Sequence, residues 1–137
     1  VSILYRIDIQ ILVHAVDFFA IADQLACCSS EELRLKVKKA RKIQQERYAQ
    51  ESGINCNAQM TTEMIQKYCA LDPDSLNILR ETSEKYGYSA RVIHKLLRLA
   101  RTSADLDEEE KIRQKDIEKV LTCRELDKSN SKMVVVK

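Results

Sequence analysis

The amino-acid sequence predicts a mainly α-helical fold, a helical bundle preceded by one β-strand. Its 137 residues include two glycines, one proline and no tryptophan, and the abundance of Leu, Ala, Lys and Glu favours helices over the strands of a β-sandwich. Apolar residues recur at intervals of three and four along most of the chain, which is the spacing of one helix face. With 45% hydrophobic residues, the chain can bury a core of its own.

The first segment has the pattern of a half-buried strand. Residues 6–13 largely alternate between polar and apolar side chains, with the apolar set at Ile7, Ile9, Ile11 and Val13. The one similar segment is the short tail at 133–136, so we expect the partner strands in a preceding part of a longer chain. An unpaired strand exposes backbone N–H and C=O groups, and we therefore predict that the isolated chain dimerises through it.

A capping box predicts the start of the first long helix, because Ser29 and Glu32 can each bond the other's backbone N–H. We expect this helix to run to about residue 50, before Ser52 and Gly53, and to bury a stripe of Leu33, Val37, Ala40 and Ile43. Its seven basic residues between 34 and 47 could follow a phosphate backbone. They occupy much of the polar circumference, however, which favours a solvated surface.

Two shorter helices are predicted in the middle of the chain. Thr61 or Thr62 can cap the first, which contains Met64, Ile65 and Tyr68. Asp72 followed by Pro73 is a typical start for the second. Gly87 can end it by adopting the left-handed conformation that a helix C-cap requires.

The last two predicted helices form the centre and the end of the bundle. Ser89 caps the central one, whose apolar stripe comprises Ile93, Leu96, Leu97, Ala100 and Ala104. An acidic turn at 105–110 leads to a final helix that contains Ile117, Val120 and Leu121. From residue 127 the chain is polar, and we expect a flexible tail there.

Composition and missing motifs exclude several classes of function. The net charge of +2 points to no overall attraction to nucleic acid or membrane, and no apolar run reaches the roughly 20 residues that span a bilayer. No G-x-x-x-x-G-K-[ST] loop is present, so the chain is not a complete nucleotide hydrolase. Five cysteines without a C-x-x-C pair and two distant histidines predict reduced thiols, no metal site and a cytoplasmic protein.

Arg91 is the first candidate for contact with a phosphate, because it follows the predicted cap Ser89 at a helix start. Helix N-termini disfavour cations and bind anions, so a guanidinium beside free amides makes a strong anion site. The alternative is an arginine that lies over its own helix. Lys95 and Arg98 lie on the same side of the helix as Arg91 and are candidates for an anion-facing or nucleic-acid-binding surface. Arg101 follows them at helical spacing.

Several stretches together resemble the C-terminal region of magnesium-chelatase-like AAA+ ATPases, and within them the ComM/YifB group of bacteria. The matching stretches are N-A-Q-M at 57–60, K-Y-C at 67–69, S-A-R at 89–91 with His94, and L-A-R-T-S-A-D-L at 99–106. The resemblance covers residues 4–126, although the segment from His14 to Cys28 departs from the family pattern. It implies three regions: the end of the ATPase core at 1–28, a helical lid at 29–126 and a flexible tail at 127–137.

The resemblance also implies roles for two arginines. In this family the arginine of S-A-R is the sensor-2 residue that contacts nucleotide phosphates, which corresponds to Arg91. The stretch L-Y-R-I-D at 4–8 resembles the arginine-finger motif, so Arg6 is the candidate finger that reaches a neighbouring subunit's γ-phosphate. Tyr5 departs from that motif, where the family has an acidic residue.

The implied function is that of a ring-forming motor. The full-length protein would bind ATP and Mg²⁺ and assemble copies of itself into a ring, expected to be a hexamer, whereas no cofactor is expected in this fragment. The ComM-like residues favour DNA processing, such as branch migration in recombination or transformation, over chelatase-type output. A stand-alone helical module that binds nucleic acid through Arg91, Lys95 and Arg98, or that binds a protein, is the alternative.

Overall fold

Five α-helices make up most of the described part of the chain, which comprises residues 6–11, 13, 15 and 28–124 of this computed structural model. The helices are α1 (Ser30–Arg47), α2 (Thr62–Tyr68), α3 (Pro73–Tyr86), α4 (Ala90–Leu106) and α5 (Gln114–Thr122), with a 3-10 turn at Asn57–Gln59. The predicted mainly helical fold class is therefore confirmed.

The predicted helix starts are confirmed at four positions. The Ser29 capping box closes as expected, because Glu32 N–H donates to Ser29 Oγ over 3.2 Å and Ser29 N–H donates to Glu32 Oε2 over 2.9 Å. Side chains of Thr61, Asp72 and Ser89 accept hydrogen bonds at the starts of α2, α3 and α4. Gly87 ends α3 with a φ of 64°, in the left-handed region that favours glycine.

Helix α4 is the centre of the bundle and packs against α1, α2, α5 and the 3-10 turn. Leu96, Ala100 and Ala104 are fully buried, and Ile93 and Leu97 pack partly buried beside them. Helix α5 is joined to α4 by packing and by Asp116, whose carboxylate accepts a 2.8 Å hydrogen bond from Ser103 Oγ. The predicted central helix and its apolar stripe are confirmed.

The predicted burial of α1 is wrong for its first half. Leu33 is 52% exposed and Val37 is 51% exposed, whereas Ala40 is buried. The sequence identifies an apolar face, but burial of that face depends on an element that covers it, and the described residues leave Leu33 and Val37 about half exposed. The helix also ends earlier than expected, at Arg47, and the chain continues as turns in which the N–H groups of Ala49 and Glu51 bond to carbonyls three residues back.

The predicted first strand is not formed in the described part of residues 6–15. One isolated parallel bridge joins Gln10 to Arg124, and Ile7, Ile9 and Ile11 are exposed. A ladder needs a second strand, and the described residues contain none to pair with. The tail at 127–137, with the apolar segment 133–136, lies outside the described residues. Dimerisation through the strand stays a prediction, which light scattering of the concentrated chain would check.

Candidate functional site

Arg91 lies in the first turn of α4 and is exposed to solvent. The start of this helix differs from the other four described helices, each of which carries an acidic residue in its first turn. Helix α4 has none there. Within the described part of the chain, the Arg91 side chain forms no ion pair. The start of α4 therefore combines free backbone N–H groups with an uncompensated cation.

Lys95 lies one turn after Arg91 and connects α4 to the N-terminal segment. Its ammonium is 2.6 Å from Asp8 Oδ1 and donates a 3.2 Å hydrogen bond to the Arg6 carbonyl. The Arg6 side chain is exposed. The structure thus brings the backbone of Arg6 to the face of α4 that carries Arg91.

The Arg98 side chain helps to hold the bundle together. Its Nη2 donates a 2.7 Å hydrogen bond to the Met60 carbonyl, just after the 3-10 turn. Together with Asp8, Lys95 and Thr102, it lines a small cavity of about 100 Å³. Contact of Lys95 and Arg98 with nucleic acid stays a prediction, and it would compete with the bonds that these two side chains already make.

Arg101, which follows Lys95 and Arg98 along α4, is buried in the bundle. Its side chain is 4% exposed, and its guanidinium donates to the Glu109 carbonyl over 2.6 Å and to the Glu110 carbonyl over 2.7 Å. Ten residues after Arg91, it is turned about 80° around the helix axis from that residue. Arg101 therefore holds the acidic turn that follows α4.

A buried carboxylate, Asp105, is the centre of a polar network that the sequence analysis did not identify. It has no solvent exposure. It accepts hydrogen bonds from both terminal nitrogens of Arg47, from Arg101 Nε over 3.2 Å and from Asn57 Nδ2 over 2.8 Å. The spacing of four residues between Arg101 and Asp105 at the end of an apolar stripe was the available signal.

Asn57 completes this network from the 3-10 turn. Its Oδ1 accepts hydrogen bonds from Tyr48 Oη over 2.7 Å and from Arg47 Nη1 over 3.1 Å, and its backbone N–H donates to Gln44 Oε1. Residues from α1, the 3-10 turn and α4 thus meet around one carboxylate. Much of the N-A-Q-M and L-A-R-T-S-A-D-L stretches therefore has a structural role, whereas Arg91 is left exposed.

Burial and charge shift several pKa values near this network. Burial lowers the pKa of Arg47, but the hydrogen bond and charge of Asp105 outweigh it, so that the net shift is upward. Burial also raises the pKa of Tyr48 and raises that of the Cys69 thiol to about 11. These groups keep a fixed protonation state near neutral pH, which suits a structural network rather than acid–base chemistry.

No metal-ligand cluster is found among the described residues: no three or more His, Cys, Asp or Glu side chains there are arranged to hold a metal ion. His14 and Cys27 lie outside the described residues. None of the helices in this part of the chain is long and apolar enough to cross a membrane.

Comparison of the sequence with known proteins identifies relatives of this chain. Residues 28–124 match the family model described as magnesium chelatase, subunit ChlI C-terminal. The chain is 33% identical over 96 residues to competence protein ComM of Haemophilus influenzae. The matched stretch covers 70% of this chain and 18% of that protein. The chain is 33% identical over 72 residues to the uncharacterized protein YifB of Salmonella typhimurium, which covers 53% of this chain and 14% of that protein. The chain therefore spans less than a fifth of the length of these relatives.

Proposed function

Because the chain belongs to the family of the C-terminal domain of magnesium chelatase subunit ChlI, we propose that it acts as the helical lid of an AAA+ ATPase and supplies arginines to ATP hydrolysis. The observation that carries this proposal is the exposure of Arg91 at the start of α4. It is an exposed cation without an ion pair among the described residues, at a helix start without an acidic neighbour in its first turn.

The electrostatics of α4 favour a phosphate ligand for Arg91. A cation at a helix N-terminus costs roughly 0.3–1 kcal/mol in the absence of an anion, and a bound phosphate reverses that sign. Arg98 and Arg101 on the same helix are engaged by carbonyl groups and by Asp105. Arg91 is therefore the arginine of α4 that is available to a nucleotide, in the role of sensor 2.

Arg6 is the proposed second arginine, in the role of an arginine finger. Its side chain is exposed, while its backbone carbonyl is held by Lys95. A finger stabilises the charge that develops on the transferred γ-phosphoryl group. The nucleotide that it reaches is bound by a neighbouring subunit, so this role requires copies of the protein in a ring, which we propose to be a hexamer. ATP and Mg²⁺ would be bound largely outside this chain, which has no phosphate-binding glycine loop.

We assign the output of this motor to DNA processing in the cytoplasm. One relative carries the name competence protein, and the resemblance of the sequence to the ComM/YifB group supports branch migration or recombination rather than chelation. Stimulation of ATP hydrolysis by branched DNA in the complete protein would support this assignment. Stimulation by a porphyrin instead would contradict it.

Steady-state ATP hydrolysis by the complete subunit tests the role of Arg91. We expect Arg91→Ala to lower kcat by about 10²–10³-fold, the loss typical when one donor to a developing negative charge is removed. Arg80→Ala is the matched control, because Arg80 is an exposed arginine on α3, and it should leave turnover unchanged. Equal turnover in the two variants would sink the proposal.

The stand-alone nucleic-acid module remains a distinct alternative, and the exposed basic residues in the first half of α1 favour it: Arg34, Lys36, Lys38 and Lys39. That function predicts salt-dependent binding of duplex or branched DNA by the 137-residue chain alone. A lid without its ATPase core is expected to show no such binding at low salt.

A further inference from the structure

Polar contacts hold the N-terminal segment against the bundle. Lys95 Nζ contacts Asp8 Oδ1 at 2.6 Å and the Arg6 carbonyl at 3.2 Å. Arg124 Nη1 donates to the Ile7 carbonyl over 2.8 Å, and the Gln10 N–H donates to the Cys123 carbonyl over 2.7 Å. The apolar side chains of this segment are exposed, so little hydrophobic burial fixes it.

We propose that Lys95 is a positioning residue that fixes the backbone of Arg6 to α4, one helical turn from Arg91. This inference rests on the proposed function, because positioning by Lys95 affects ATP hydrolysis only through the two arginines that are proposed to contact phosphate. Lys95 joins them physically, since it lies on the helix of Arg91 and bonds to the carbonyl of Arg6. The finger and the sensor then form one unit that moves as the lid moves.

The geometry of Lys95 suits this role better than that of a free surface cation. Its side chain is 19% exposed, against 55% for its partner Asp8. One ammonium group therefore makes a charge-assisted bond to a carboxylate and a second bond to a backbone carbonyl. Charge-assisted bonds are roughly twice as strong as neutral ones, and the partial burial of the Lys95 side chain limits its freedom to leave these two partners.

Loss of this restraint should affect turnover more than nucleotide binding. Arginine fingers act chiefly on the transition state, and a displacement of about 1 Å at a catalytic group can cost about 10²-fold in rate. We therefore expect Lys95→Met in the complete subunit to lower kcat about ten- to a hundredfold with little change in KM for ATP. Lys95→Arg, which keeps the charge and both donors, should retain most of the activity.

Hydrogen exchange of the 137-residue chain measures the restraint itself, independently of ATP hydrolysis. In the parent chain, the Gln10 amide should be protected by its bond to the Cys123 carbonyl. Lys95→Met should speed exchange of the Gln10 amide by at least about tenfold, while the amides in the middle of α4 keep their rates. Lys111→Met is the matched control, because Lys111 is an exposed lysine in the loop between α4 and α5, and it should change neither region.

A double-mutant cycle identifies Asp8 as the partner. Asp8→Asn should raise exchange of the segment in the same direction as Lys95→Met. The double variant should be little worse than Lys95→Met alone, because both changes remove one shared interaction. Fully additive effects would contradict the pairing.

The combined outcomes separate this inference from the proposed function. If Arg6→Ala and Arg91→Ala lower turnover but Lys95→Met alters neither segment exchange nor kcat, the positioning role is overturned and the proposed function stands. Faster exchange with unchanged kcat also overturns it. If neither arginine variant lowers turnover, the proposed function fails, and the exchange data still decide whether Lys95 fixes the segment.

Discussion

At the residue scale, Asp105 and Arg91 on α4 have opposite environments. Asp105 has no solvent exposure and receives hydrogen bonds from two arginines and an asparagine. Arg91 is exposed at the start of the same helix. A buried charge that is fully hydrogen-bonded holds elements together, whereas an exposed charge at a helix start is available to a ligand. The end of α4 that carries Asp105 is therefore structural, whereas the start that carries Arg91 is the part proposed to contact a ligand.

Removal of the Asp105 charge should strongly destabilise the chain. Asp105→Asn leaves the guanidinium groups of Arg47 and Arg101, whose side chains are 14% and 4% exposed, without their anionic partner. Removing one member of a buried ion pair costs about 3–5 kcal/mol, and we expect a loss of that order in the free energy of unfolding. Urea denaturation checks it, with exposed Glu84→Gln on α3 as the control. A loss below about 0.5 kcal/mol, the usual range of a surface substitution, would contradict the network.

At the element scale, local chemistry explains which parts of the fold were predictable. The caps at Ser29, Asp72 and Ser89 were identified from sequence because a cap bonds to residues only three positions away. The exposed first half of α1 was not, because burial depends on elements distant in sequence. The same limit explains the missing strand at 6–11, whose pattern of side chains does not supply a partner.

We predict that substitutions in the exposed half of α1 have little effect on the stability of the chain. Leu33 is 52% exposed, so Leu33→Gln, which keeps helix propensity, should change the free energy of unfolding of this chain by less than about 0.5 kcal/mol. Leu96 is fully buried in α4, and Leu96→Ala should cost about 2–5 kcal/mol. Thermal or urea unfolding compares the two variants. Similar losses in both would mean that α1 is covered along its whole length in solution.

At the scale of the whole molecule, the candidate site is incomplete in this chain. The chain spans 18% of ComM and 14% of YifB, and it carries no glycine-rich phosphate loop. Arg91 could be selected from the sequence because it is a cation at a predicted helix start, and Arg6 because it lies in a short stretch that resembles a family motif. Their connection through Lys95 could not be predicted from the sequence. Lys95 contacts Asp8 and Arg6, and these residues precede it by 87 and 89 positions.

The most direct test of the central claim compares two affinities of the assembled ATPase. One is its affinity for ADP, and the other is its affinity for ADP with Mg²⁺ and aluminium fluoride. The fluoride mimics the γ-phosphoryl group in the transition state. Transition-state interactions are stronger than those with the ground state. We predict that Arg91→Ala weakens binding of the fluoride complex at least about tenfold more than binding of ADP, whereas Arg80→Ala changes neither. Equal affinities of the Arg91→Ala and Arg80→Ala proteins for the fluoride complex would contradict the assignment of Arg91 to the nucleotide phosphates.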